Sequence, residues 1–283
     1  MKILVTGARG FTGQHFSVLA RKRGHTVIDL QSDLTDAAAL KAELLEVSPE
    51  AVVHLAAIAF VGHADPSAFY KVNVVGSTNL LDALRQPGIS VRKVLLASSA
   101  NVYGNTEQSP ITEDQLPAPA NHYACSKLAM ENMARNYLGD LPLFFTRPFN
   151  YTGPGQDPSF VIPKLVSHYA RRAERIDLGN IDVEREFNDV RFVVGTYLDL
   201  LDKAITGQTY NVCTGISHSL KSVIATLEKL SQHQLKIGFN PAFARQNEIA
   251  RLCGSPDKLF ATIGQPTIPA LEETLDIMLR AAA

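Results

Sequence analysis

Short apolar runs alternate with helical periodicity through the first half of the chain. "KILVTG" is a continuous apolar run of strand length, and helical spacing follows from about Gly13 to Arg23. "HTVIDL", "AVVHLAA", "RKVLLASS" and "LPLFFTRP" repeat the strand signature. Between them "AAALKAELLEV" is an amphipathic helix, one long helix is expected over "DPSAFYKVNVVGSTNLLDALRQ", and another begins near Tyr123. Strands separated by helices predict βαβ units and a parallel sheet covered on both faces. Right-handed crossovers make this an α/β fold, a doubly wound Rossmann sheet.

Beyond Pro148 the pattern changes. "FNYTGPGQDP" is a Gly/Pro loop, "FVIPKLVSHYARRAE" a helix, "REFNDVRFVVGTYLDLLDKAI" an extended segment running into a helix, and "QTYNVCTG" a strand. "TYLDLLDKAI" within it reads as an amphipathic core helix and nothing more. The expected organisation is a dinucleotide-binding domain over residues 1–148, rejoined by a segment at about 187–213, with a smaller substrate lobe from 149–186 and 214–283.

Composition narrows the partners. A net charge of −1 with no Lys/Arg cluster argues against a nucleic-acid footprint. No apolar stretch approaches the roughly 18 residues of a membrane span. Cys125, Cys213 and Cys253 have neither CxxC nor metal-ligand spacing, so no metal is expected and a reducing cytoplasm is the economical location.

Two local patterns carry chemistry. In "TGARGFTG", Gly7, Gly10 and Gly13 lie between the first strand and the first helix. Glycines there allow a tight turn, close approach to a pyrophosphate and close helix packing, with the phosphates at the helix N-terminus. The spacing is GxxGxxG, not the usual GxGxxG, and a plain turn former reads the same way. Asp29, ending the second strand, stands where a carboxylate would accept adenosine ribose hydroxyls and favour NAD. Arg9 could instead pair with the 2′-phosphate of NADP. In "SDLTD", Asp36 reads equally well as a helix N-cap. The second pattern is "NHYACSK". Tyr123 and Lys127 share a helix face, with β-carbons about 5–6 Å apart. They could be a surface pair or a proton donor beside its tuning cation.

Together "TGARGFTG", "HLAA", "VNVVGSTNLLDA", "LLASSANVYG", "YACSK", "RPFNYTGPGQ" and "REFNDVR" resemble the extended short-chain dehydrogenase/reductase family, in its nucleotide-sugar-modifying branch, over roughly residues 1 to 260. "RPFNYTGPGQ", "REFNDVR", "YNVCTGIS" and "ARQNEIARLCGSPDKL" are most similar to the GDP-4-keto-6-deoxy-mannose reductases, which make GDP-D-rhamnose; the dehydratases and hexose 4-epimerases of the family share weaker versions. The resemblance implies Ser99, Tyr123 and Lys127 as the catalytic set. It implies Phe11, Asp33, Leu34, Leu55, Ala56, Ala57 and Asn73 around the cofactor, besides the glycine loop, Arg9, Asp29, Tyr123 and Lys127. It places Ser99, Asn101, Asn150, Arg185, Arg245 and Glu248 against the nucleotide sugar. Gln246 stands where the family has proline. The family's dimers further imply a homodimer through the helices of Asn73–Leu84 and Tyr123 onward.

In reduction of a C4 ketone, the oxygen that becomes an alkoxide needs a proton and hydrogen bonds as charge develops. Tyr123 and Ser99 can provide these. Poising a phenol near neutrality takes about 4 kcal/mol of phenolate stabilisation, which Lys127 and an oxidised nicotinamide could supply. The related 4,6-dehydratases carry carboxylates in the slots of Ala100 and Asn101, and the GDP-sugar reductases tend to have glutamates there too, so this chain departs from both. Alanine and asparagine cannot do that acid–base work, so dehydration is not expected. The expected activity is NAD(P)H-dependent reduction of a nucleotide-linked 4-keto-6-deoxyhexose. The alternatives are a 4-epimerase with tightly held NAD, and a non-catalytic cofactor-binding protein. His54 reads as a packed histidine, while His63 and His122 are minor candidates for the sugar pocket.

Overall fold

The strands β1 (Lys2–Thr6), β2 (Thr26–Asp29), β3 (Ala51–His54), β4 (Lys93–Ala97), β5 (Leu143–Pro148) and β10 (Thr209–Val212) form one sheet in the order β10-β5-β4-β3-β1-β2, all parallel. The computed structural model describes residues 1–59, 64–241 and 250–282. Because side chains alternate across a strand, each strand feeds two cores. Ile3, Val5, Val53 and Leu95 point into one, with Phe16 and Ala20 of α1 (Phe11–Lys22) and Val193, Tyr197 and Leu200 of α7 (Val190–Lys203). Leu4, Val52, Val94 and Leu96 point into the other. There they meet Leu40 and Leu44 of α2 (Ala37–Val47), Leu80 and Leu81 of α4 (Ser77–Leu84) and Met130 of α5 (His122–Ala134). These side chains are at or near complete burial, which is why the strands read as unbroken apolar runs.

The chain steps outward from β1 to β2, then returns to β3 and builds the other way through β4 and β5. This reversal opens a crevice above the carboxyl ends of β1 and β3. Two glycines set its floor. Gly7 has φ +71°, and a Cβ on it would lie 2.8 Å from the backbone nitrogen of Ala56. A Cβ on Gly13 would lie 2.2 Å from the Gly7 carbonyl oxygen, so α1 could not approach the turn with any larger residue.

The single helix expected over residues 65–86 is interrupted. α3 (Pro66–Tyr70) runs into a π-helical stretch, Lys71–Gly76, before α4 resumes. Such one-turn widenings are frequent at functional sites. Asp36 caps α2 by accepting from the Ala39 N–H at 3.0 Å.

After β5 the short strands β6 (Tyr151–Thr152) and β9 (Asn188–Asp189) pair in parallel. A separate apolar cluster then joins α6 (Val161–Ala170), α8 (Leu220–Ser231) and α10 (Leu271–Ala282), with β7 (Arg175–Leu178) pairing β12 (Lys236–Phe239). A small sheet orders β11 (His218–Ser219), β8 (Glu184–Arg185) and β13 (Arg251–Leu252). The helix α9 (Asp257–Ile263) packs back on α7, and β10 extends the main sheet beside β5. No helix among the described residues is long and apolar enough to cross a membrane.

Candidate active site

A cavity of about 630 Å³ lies over the carboxyl edge of the sheet. Gly7, Gly10, Phe11, Gly13, Leu55 and Ala57 line it from the glycine turn and the end of β3, Ser99 and Asn101 from beyond β4, and Asn150 and Arg185 from the segments after β5. Tyr123 and Lys127 enter from α5. Twelve residues singled out in the sequence thus share one cavity.

α5 begins where it does because Asn121 caps it, its Oδ1 accepting from the Ala124 N–H at 2.9 Å. Tyr123 then falls in the first turn, and Lys127 one turn on, on the same face. Lys127 Nζ donates to the Ala97 carbonyl at 2.7 Å, and the Tyr123 hydroxyl hydrogen-bonds the Ser99 hydroxyl. The end of β4 is therefore tied to both ionisable side chains. Phe69 closes over Tyr123, the ring centroids 6.2 Å apart.

Burial decides the charge states. It pushes the Tyr123 phenol up to about 12, against a smaller downward pull from the Ser99 hydroxyl. It pushes the Lys127 ammonium down to about 8, opposed by the carboxylate of Glu131. The expectation is that Lys127 and an oxidised nicotinamide together poise the phenol near neutrality; the protein's own groups hold it protonated. Desolvation is the largest influence on the phenol, and Tyr123 keeps its proton through the neutral range. For a proton donor this is the working state.

The sign of the Lys127 effect is testable. Its pKa falls from 10.5 to about 8 on folding, so between those values the unfolded chain holds a proton that the folded chain releases. The penalty is full below about 8 and fades as pH rises toward the unfolded value. Urea unfolding of Lys127→Met against the native chain should find the variant relatively more stable near about pH 7 than near about pH 10. The reverse order would contradict this.

Behind the cavity a hydrogen-bonded chain fixes the elements. Asn73, in the π-helical stretch, accepts from the Ile58 N–H at 2.9 Å and donates to the Ser126 hydroxyl at 3.0 Å; Ser126 in turn donates to the Tyr123 carbonyl at 2.7 Å. The Ser77 hydroxyl donates to the Asn73 carbonyl at 2.7 Å and so must accept from His54 Nε2, 2.8 Å away. His54 Nδ1 then accepts from the Thr6 hydroxyl at 2.7 Å. Burial, with the Lys127 charge second, pushes His54 down to about 3. His54 is a packed, neutral histidine, as its place in an apolar strand suggests.

Other residues singled out lie away from the cavity lining. Arg9 donates to the Gln31 side chain at 2.7 Å, and Asp29 lies 3.7 Å from Arg21, at the end of β2. Asp33 caps the turn at Thr35. Leu34 packs in the core beneath α4, Ala56 donates its N–H to Thr6, and Asn73 is the brace already described. His122 meets the Tyr70 hydroxyl at 3.1 Å. Arg245, Glu248 and His63 lie outside the described residues.

The cavity also holds residues the sequence did not flag: Thr12, Tyr151, Gln156, Asp157, Phe160 and Tyr197. Tyr151 stacks on Phe11 and shares a 2.7 Å hydrogen bond with Thr12. Tyr197 corrects the reading of "TYLDLLDKAI" as core helix alone, because its side chain reaches the cavity from α7. Helical periodicity counts a buried tyrosine as core and is blind to where its hydroxyl goes.

A doubly wound sheet whose glycine turn shares a cavity with a Ser/Tyr/Lys set is the architecture of a dinucleotide-dependent oxidoreductase. The chain belongs to the NAD dependent epimerase/dehydratase family, which it matches over residues 3–213. It is 36% identical to the GDP-6-deoxy-D-talose 4-dehydrogenase of Aggregatibacter actinomycetemcomitans over 270 residues, covering 93% of this chain and 92% of that one. To the GDP-6-deoxy-D-mannose reductase of Pseudomonas aeruginosa it is 35% identical over 294 residues, covering 98% and 96%. The solved structure of the Pseudomonas aeruginosa enzyme RMD complexed with NADPH superposes with a TM-score of 0.93 at 33% identity, covering 99% of this chain and 98% of that one. That of Thermus thermophilus UDP-glucose 4-epimerase with NAD does so at 0.87 and 27%, covering 100% and 99%.

Proposed function

We propose that this protein reduces the C4 ketone of a nucleotide-linked 4-keto-6-deoxyhexose, GDP-linked, with NAD(P)H. The observation that carries the reading is the pairing of a protonated Tyr123 with Ser99 at the cavity wall, beside Ala100 and Asn101, which offer no carboxylate for dehydration. Both GDP-sugar relatives act at sugars of this kind by name, and identity to them extends over nearly the whole chain.

The glycine turn fits a dinucleotide: a side chain at Gly7 or Gly13 would collide with backbone, so the turn is held tight with the N-terminus of α1 facing the cavity. When bound there, the reduced cofactor supplies the hydride. Asp29 favours NADH through the ribose hydroxyls, while Arg9 beside Gln31 is placed to meet a 2′-phosphate. In the protein's share of the reaction, Ser99 donates a hydrogen bond to the C4 oxygen and Tyr123 gives it a proton. Lys127, on the same helix face, stabilises the phenolate that remains. Asn150 and Arg185 line the same cavity, where a guanidinium suits a diphosphate.

Calorimetry with GDP, UDP and dTDP tests the nucleotide. GDP should bind at least tenfold more tightly, a difference of about 1.4 kcal/mol; equal affinities would defeat the GDP reading. Stoichiometric oxidation of reduced cofactor by the keto-sugar separates this activity from 4-epimerisation, which consumes none.

A further inference from the structure

A serine hydroxyl has two lone pairs and one proton. At Ser99 both lone pairs are engaged by one neighbour. The backbone N–H of Asn101 and its side-chain Nδ2 each donate to Ser99 Oγ at 3.2 Å. The local fold enforces this. Ser99 is extended, φ −159° and ψ 145°, and caps a 3-10 turn over Ala100–Tyr103, which brings residue 101 back over its hydroxyl. The turn is anchored by Val102 and Tyr103, both without exposure. With both acceptor positions occupied, the Ser99 proton is left for the cavity side, where the Tyr123 hydroxyl lies.

We propose that Asn101 is a positioning residue that locks Ser99 as a hydrogen-bond donor toward the substrate oxygen. This rests on the ketone-reductase reading above. The lock has a chemical consequence. A ketone oxygen has only lone pairs to offer, and it meets two donors, Ser99 and the protonated Tyr123. A product alcohol in the same place can give its own proton only to the Tyr123 oxygen, because both lone pairs of Ser99 are taken. Two N–H groups drawing on Oγ also polarise its O–H bond, strengthening it as a donor while charge builds on the substrate oxygen. Asn101 thereby adds a second layer of aligned dipoles to the oxyanion site without touching the substrate.

Replacing the amide by a carboxylate reverses the lock at nearly constant shape. In Asn101→Asp the side chain accepts, and the Ser99 proton turns away from the cavity. The experiment is a double-mutant cycle on the full chain with reduced cofactor and GDP-4-keto-6-deoxy-D-mannose: native, Asn101→Asp, Ser99→Ala and the double variant. Asn101→Asp should lower kcat on the order of 100-fold with KM little changed. Its activity should rise as pH falls and the introduced carboxyl gains a proton it can donate, a trend the native chain lacks. In the Ser99→Ala background the same substitution should cost no more than about twofold, because the effect passes through the lost hydroxyl. An equal loss in both backgrounds would mean that Asn101 meets the substrate directly and would overturn the proposal. So would a loss confined to KM, or an Asn101→Asp chain as active as the native one. A native chain that does not turn over the keto-sugar defeats the functional reading instead. NMR of the Asn101 side-chain amide then decides the lock. Its resonances should shift on Ser99→Ala, and unmoved resonances would overturn it.

Discussion

Tyr123→Phe should reduce kcat for the keto-sugar about 1000-fold while leaving the fold and nucleotide affinity intact. In the proposed reaction the phenol is the proton source, held at about 12 by burial, and phenylalanine keeps its contact with Phe69 while removing only the hydroxyl. Because the donor stays protonated throughout the neutral range, the native rate should not fall with Tyr123 ionisation until strongly alkaline pH. The earlier alkaline loss should follow Lys127, whose charge is lost near about 8. Steady-state kinetics across pH check both statements. A variant within threefold of the native rate would remove Tyr123 from the chemistry, and a rate that rises through pH 8 would reverse the role of Lys127.

The second large effect is on stability. Arg147 and Glu131 form a bidentate ion pair, with Nε–Oε1 at 3.0 Å and Nη2–Oε2 at 2.7 Å, at 5% and 1% exposure. The guanidinium also lies 4.8 Å from the centroid of the Tyr103 ring, whose hydroxyl donates to Asn211 at 2.7 Å. Arg147→Met should destabilise the chain by about 3–5 kcal/mol, since it strands a carboxylate in the core. Combining it with Glu131→Leu should recover most of that loss, because an apolar pair of similar volume has no desolvation penalty to offset. Urea unfolding of the two variants measures this. If the double variant is as unstable as the single one, the pair itself contributes more than its desolvation costs. Glu131 lies one turn beyond Lys127 and supports its charge, so the double variant should also shift the alkaline limb of activity downward.

The main sheet was legible because its strands are buried on both faces and its helices on one. These are the two conditions under which periodicity alone reports structure. The expected helix over "AAALKAELLEV" coincides with α2, residue for residue. The two-residue strands β6, β8, β9, β11 and β13 were not legible, since no period fits in two positions. Among the described residues β7 and β12 pair only with each other, and their exposed positions, such as Arg175 and Lys236, break the apolar run that marks a buried strand. In the cavity, Gly7, Gly13 and the Tyr123/Lys127 pair were visible because their spacing is local. Thr12, Tyr151 and Tyr197 come from separate elements, and their convergence follows only from the topology. The upward push of burial on the Tyr123 phenol was not legible. Spacing reveals a neighbouring cation but carries no measure of how completely both groups are desolvated.

The widened turn at Lys71–Gly76 has a consequence for insertions and deletions. An α-helix advances about 100° per residue, so one extra residue in a turn offsets everything downstream by roughly that angle. Here the offset lets Asn73 face α5 while Leu80, Leu81 and Leu84, on the far side of the turn, still face the sheet. Deleting one residue from the stretch would restore a regular helix and force a choice between the two. Either the leucines keep the sheet and Asn73 swings off Ser126, or Asn73 holds and α4 turns its apolar face to water. In this helix a length change of one residue is therefore harsher than most substitutions, and the widened turn acts as a phase adjuster between the cavity-lining helix α5 and the core.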